Sequence, residues 1–184
     1  MRGTFRLGSV WLLLVLAGCQ GNPSRTGYYA SPLLPGDEVE ILKDLVVPID
    51  MARVYLQDGK TTSYGGTNQY APFCYFLLRD PMPVAQTIRP GVRIVQRVWL
   101  DQTTVSLEVP LRLASAFGLG VGDHPLMAWQ FHITLGAEDQ SRMTLVCSGA
   151  FDDPSMADPI RLPEVRQALG DYAEIRVKGA PQSQ

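Results

Sequence analysis

A chain of 184 residues with 18 acidic and 16 basic side chains, formal net charge -2, has room for one ordinary domain and a real core, and two domains are not expected. No basic stretch is dense enough to track phosphates, which sets nucleic-acid binding aside.

The chain opens on Arg2 and Arg6, followed by an apolar run from Val10 to Ala17 that stops at small residues and Cys19. "GSVWLLLVLAGCQGNPS" (8–24) thus has the three-part layout of an export signal. Its apolar run is well short of the roughly 20 residues that a spanning helix needs. Leu16-Ala17-Gly18-Cys19 resembles the lipobox of bacterial lipoproteins. The resemblance implies that residues 1–18 are a signal peptide and that Cys19 is lipidated on its thiol and acylated on its new amine. Two or three acyl chains anchor durably, since each buried methylene contributes about 0.8 kcal/mol. In that family an Asp after the cysteine favours the inner membrane. Here Gln20 stands there, so the resemblance implies anchoring on the periplasmic face of the outer membrane.

With Cys19 given to lipid, Cys74 and Cys147 remain in an oxidising compartment, and a disulfide between them is the economical reading. Two buried free thiols, or a metal or redox pair, are the alternatives. No Cys-x-x-Cys spacing supports a redox role.

Residues 19–36, rich in Gly, Pro and Ser, read as a lipidated tether, with Tyr28 and Tyr29 docking on the domain or lying against headgroups. A single β-rich domain is expected over 37–178, and a loose tail over 179–184. "VEILKDLVV" (39–47) reads as a strand. "ARVYLQDGK" (52–60) reads as a strand that ends in an Asp58-Gly59 turn. "QYAPFCYFLLRD" (69–80) is apolar on both parities and suits a central strand. "GVRIVQRVWLDQTTVSLEVP" (91–110) reads as a hairpin turning at 101–103, with Val92, Ile94, Val98 and Leu100 on one face. In "MAWQFHITLGAEDQSRMTLVCSG" (127–149), Met127, Trp129, Phe131, Ile133 and Leu135 alternate with polar residues. A polar turn follows, then Met143, Leu145 and Cys147 on the inward row. "RLPEVRQALGD" (161–171) supplies one short helix, with Pro163 in its first turn and Gly170 as its stop. The expected fold class is mainly β, an antiparallel sandwich or barrel-like sheet with one short C-terminal helix.

Chemical candidates are few. Gly118, Gly120 and Gly122 in "LASAFGLGVGDHPL" (113–126) have the wrong spacing and context for a nucleotide loop, and read as a flexible loop able to contact a partner. His124 and His132 find no third ligand at metal spacing, and neither Ser115 nor Ser148 sits in a nucleophile-elbow context. Asp152, Asp153 and Asp158 lack a calcium-loop framework and suit turns. Tyr64 and Tyr70, in the Gly-rich connection before Cys74, are candidate contacts for a glycan or partner, against the plainer reading of a long hairpin connection. The sequence therefore leads to a non-catalytic binding or assembly module for an envelope protein, with no cofactor. The second reading is a β domain binding a small ligand or cell-wall glycan. A hydrolase would need one of the histidines beside both a carboxylate and a nucleophile.

Overall fold

The computed structural model describes residues 23–105, 125–136 and 143–178. These form β1 (Glu38–Ile41), β2 (Leu45–Val47), β3 (Arg53–Gln57), β4 (Lys60–Thr62), β5 (Phe73–Leu77), β6 (Gln86–Ile88), β7 (Gly91–Val105), β8 (Leu126–Gly136), β9 (Met143–Ser148), α1 (Leu162–Leu169) and β10 (Ala173–Arg176). Eight strands join in the order β10-β1-β7-β8-β9-β5-β3-β4, and β2 and β6 pair as a separate ribbon. The fold is mainly β: the antiparallel sheet curls into a half-barrel, with one short helix near the C-terminus. Val165, Ala168 and Leu169 of α1 are buried, and the helix packs on β3, β5 and β10, so it bridges the two ends of the sheet.

Alternation builds the core as the sequence leads one to expect. Phe131, Ile133 and Leu135 of β8 meet Met143, Leu145 and Cys147 of β9 on the inner face, together with Cys74 and Phe76 of β5 and Val54 and Leu56 of β3. Trp129 departs from its row in being only partly buried. Asp58 and Gly59 form the two-residue turn between β3 and β4, both left-handed at φ 49° and 69°, as a twisted hairpin demands. The Gly59 N–H donates to the Ala168 carbonyl at 3.2 Å, and a Cβ on Gly170 would overlap Gly59, so turn and helix end meet backbone to backbone.

Three sequence expectations are corrected. First, 39–47 is not one strand. It breaks after Ile41 into β1 of the large sheet and β2 of the ribbon, and Leu45 and Val47 remain buried.

Second, 91–105 does not turn at 101–103; it is one 15-residue strand, paired with β8 from Ile94 to Val105. The register shifts between Val95 and Arg97, so Gln96 is an inserted residue that reverses the facing of what precedes it. Val92 and Ile94 are therefore exposed, Val95 is buried, and Val98 and Leu100 return to the inner side.

Third, the described part of the expected 19–36 tether is fastened to the domain over more than its two tyrosines, for which docking is one of the two expected placements. Leu33 is fully buried, and the Tyr29 ring meets Trp129 edge-on at 5.0 Å. The Tyr28 hydroxyl donates to Asp158 at 2.8 Å. A Pro- and Gly-rich composition marks irregular backbone, and an irregular segment carrying a leucine and two tyrosines covers a core as readily as it spans a gap.

One buried carboxylate binds this segment to both ends of the domain. Asp37, 1% exposed, accepts from Nη2 of Arg25 at 2.6 and 2.7 Å, from the Leu34 N–H at 2.7 Å and from the Lys178 N–H at 2.9 Å. It thereby satisfies two backbone donors and one guanidinium at the start of β1.

Candidate functional site

Of the residues singled out in the sequence, Cys19, Gly118, Gly120, Gly122, Ser115 and His124 lie outside the described residues. Cys74 and Cys147 are brought together. They are register partners on β5 and β9 with Cα atoms 4.1 Å apart, fully buried and disulfide-bonded. A directly opposed pair on adjacent antiparallel strands supplies the short Cα separation that a disulfide needs.

Tyr64 and Tyr70 are 58% and 68% exposed on the connection between β4 and β5. The connection is held in place: the Gln57 amide donates to the Asn68 carbonyl at 2.8 Å, and its oxygen accepts from the Asn68 N–H at 2.9 Å. Tyr64 leans on Tyr55, with ring centroids 5.8 Å apart.

Strand pairing, which single-strand patterns do not show, assembles a row across the outer face of the sheet. Tyr55 of β3 lies opposite Tyr75 of β5, then Val146 of β9, His132 of β8 and Trp99 of β7. The Arg53 guanidinium sits 5.3 Å from the Tyr75 ring centre at one end, and Arg97 sits 5.4 Å from Trp99 at the other. Burial pushes the Tyr75 hydroxyl above its ordinary value, opposed by the charge of Arg53.

His132 stacks on Trp99 at 5.0 Å and 16°. Its Nε2 is buried without a hydrogen-bond partner, 3.9 Å from an Asp101 carboxylate oxygen. Desolvation lowers the imidazole below its ordinary pKa, and Asp101 only partly opposes this. The unfolded chain therefore binds the proton more readily than the folded one. His132 is expected to withdraw stability as pH falls from about 6.5 toward its depressed folded value, and to withdraw none above that window. Urea midpoints on both sides of this window should show that slope in the native protein and a smaller one in His132→Gln. Equal slopes would contradict it. Val146, not a nucleophile, stands opposite His132 on β9, and the Ser148 hydroxyl is spent on the Gly149 carbonyl at 2.9 Å.

A second feature lies on the opposite side of β7. On β7, β1 pairs with Gly91–Ile94 alone, and Val95 exchanges backbone bonds with Gly36 and Asp37. From Arg97 to Val105 no strand among the described residues pairs with this edge. Beside the first part of it, at Gln96–Leu100, lies a cleft of about 780 Å³ between the N-terminal segment and β7, lined also by Tyr28, Tyr29 and Phe131. The Gln102 N–H donates to the carboxylate of Asp101 at 2.8 Å, a local bond in place of a ladder bond. Hydrophobic periodicity carries no signal for this edge, because the edge exists only through the mismatch in length between β1 and β7.

Among the described residues, no group of three or more His, Cys, Asp or Glu is placed to hold a metal ion, and no helix is long and apolar enough to cross a membrane. No protein-family model, curated protein or solved structure matches this chain.

Proposed function

We propose that the chain is an outer-membrane lipoprotein of the periplasmic face, anchored through Cys19, whose domain is a non-catalytic binding module for an envelope protein. The observation that carries this reading is the edge of β7 from Arg97 to Val105, left unpaired among the described residues and bordered by a cleft at Gln96–Leu100. An extended segment of a partner can add to such an edge through main-chain bonds, while the Leu100 wall of the cleft receives its side chains. Tyr64 and Tyr70, exposed on a clamped connection, offer a second contact surface that needs little ordering on binding. The lipobox-like stretch and a buried disulfide both suit an exported protein. The cleft volume also favours a second reading, a small ligand or glycan fragment, because about 780 Å³ lies within the usual range for ligand sites.

The test is photo-crosslinking in intact cells from a probe placed at Gln102 or Thr104, with Lys43 as the comparison position. The edge reading expects one envelope protein captured from the two β7 positions and not from Lys43, with the capture lost in Cys19→Ala. Identical products from all three positions, or none from β7, would remove it. Stabilisation of the purified domain by cell-wall fragments would then favour the ligand reading.

A further inference from the structure

Few residues separate Cys19 from the cleft in sequence. Four peptide steps separate Cys19 from Pro23, a reach of at most about 14 Å even when fully extended. Pro23 itself lines the cleft beside Gln96 and Arg97. The chain from there onward is fastened to the domain by Leu33, by the edge-on packing of Tyr29 on Trp129, and by the bonds of Arg25 to Asp37. Slack that a tether of residues 19–36 would have provided is therefore absent from residue 23 on, and a lipid on Cys19 fixes which side of the domain meets the membrane.

Resting on the lipoprotein reading above, we infer that the cleft rim formed by Tyr28, Tyr29 and Arg97 lies against the surface of the bilayer that holds the lipidated Cys19. The chemistry of the rim fits that occupant. Tyr28 and Tyr29 are 60% and 52% exposed and stack edge to face on each other at 4.8 Å, an arrangement of rings with polar tips that suits the headgroup layer. Arg97 is exposed beside them and carries the positive charge that attracts lipid phosphates. Leu42 marks the other end of β7: it follows the Ile41↔Gly91 pair, and Gly91 lies about seven regular strand steps from Trp99 once the Gln96 bulge is discounted, about 23 Å at the ordinary rise of a strand. A consequence for the β7 edge is that its partner segment must be presented close to the membrane surface.

The tryptophans make the orientation measurable. Trp99 lines the cleft and Trp129 touches Tyr29, so both report on this side. The experiment uses the mature lipidated protein in vesicles of phosphatidylethanolamine and phosphatidylglycerol, with and without bromine on the acyl chains, after intact-mass analysis of the same sample. The comparison protein carries Trp99→Phe, Trp129→Phe and Leu42→Trp, so that its fluorescence comes from the far end. The expected result is a larger fractional loss of fluorescence for the native pair than for the Leu42→Trp protein, reduced by Arg97→Glu. Circular dichroism of each variant checks that the fold is kept. Acylated protein with equal loss at both positions, or greater loss at position 42, overturns the orientation and leaves the anchor standing. A mass without acyl chains overturns both.

Discussion

Asp37→Ala is expected to destabilise the domain by about 3 kcal/mol, a fall of roughly 10 °C in Tm for a chain of this size. The carboxylate is almost fully buried and receives Arg25, the Leu34 N–H and the Lys178 N–H at once. Removing it leaves two backbone donors without their acceptor and a guanidinium without its counter-charge, each an added desolvation cost. Arg25→Ala should do less, because the arginine is one-third exposed and its loss leaves the carboxylate two N–H donors. The double variant should then lose clearly less than the sum of the two single losses, since both act through the same hub. Thermal unfolding of the three proteins checks this. A loss in Asp37→Ala no larger than that in Arg25→Ala would show that the buried carboxylate does not organise the two chain ends.

Removing the disulfide should be comparably large. The Cys74–Cys147 bond closes a loop with a sequence separation of 73, which the chain-entropy treatment values at about 4 kcal/mol, and native disulfides typically contribute about 2–5 kcal/mol. It joins β5 to β9 at the middle of the sheet with both sulfurs in the core, so Cys74→Ala with Cys147→Ala also leaves a small cavity. Chemical denaturation of the double variant against the oxidised protein should show a lowered midpoint, with a steeper slope because the unfolded chain without the crosslink exposes more surface. The native protein should yield no thiol to alkylation until it is unfolded in reductant. Thiols that react in the native oxidised sample, or an unchanged midpoint in the double variant, would contradict the bond's structural role.

Some parts of this architecture were legible in the amino-acid order because they depend on nearest neighbours. The alternating rows of β8 and β9, the Asp58-Gly59 turn and the Pro163-to-Gly170 helix each follow from local periodicity or local backbone preference. The disulfide was legible through the shared inward parity of Cys74 and Cys147 together with the inferred compartment. What was not legible depended on a partner. Gln96 bulges within an otherwise regular strand, and a single inserted residue moves Val92 and Ile94 outward without altering composition. The turn expected at 101–103 rested on polar residues that in fact lie on a strand edge, where polar side chains are at home.

The candidate site was the least legible of all. The cleft joins residues near position 28 to residues near 97, and the outer row joins five strands from Tyr55 to Trp99, so neither exists until the sheet order is fixed. Tyr64 and Tyr70 were reachable from sequence because an aromatic in a polar Gly-rich connection has few places to be buried, and they are exposed. The β7 edge, unpaired among the described residues, needed the structure, since only the shortness of β1 reveals it.

The central claim, a domain held closely at a membrane by a lipid on Cys19, is tested most directly by intact mass spectrometry of the protein extracted from separated inner and outer membranes. The account predicts a chain that begins at Cys19, carries two or three acyl chains and is recovered with the outer membrane. A chain recovered without lipid, or one still carrying residues 1–18, would contradict it.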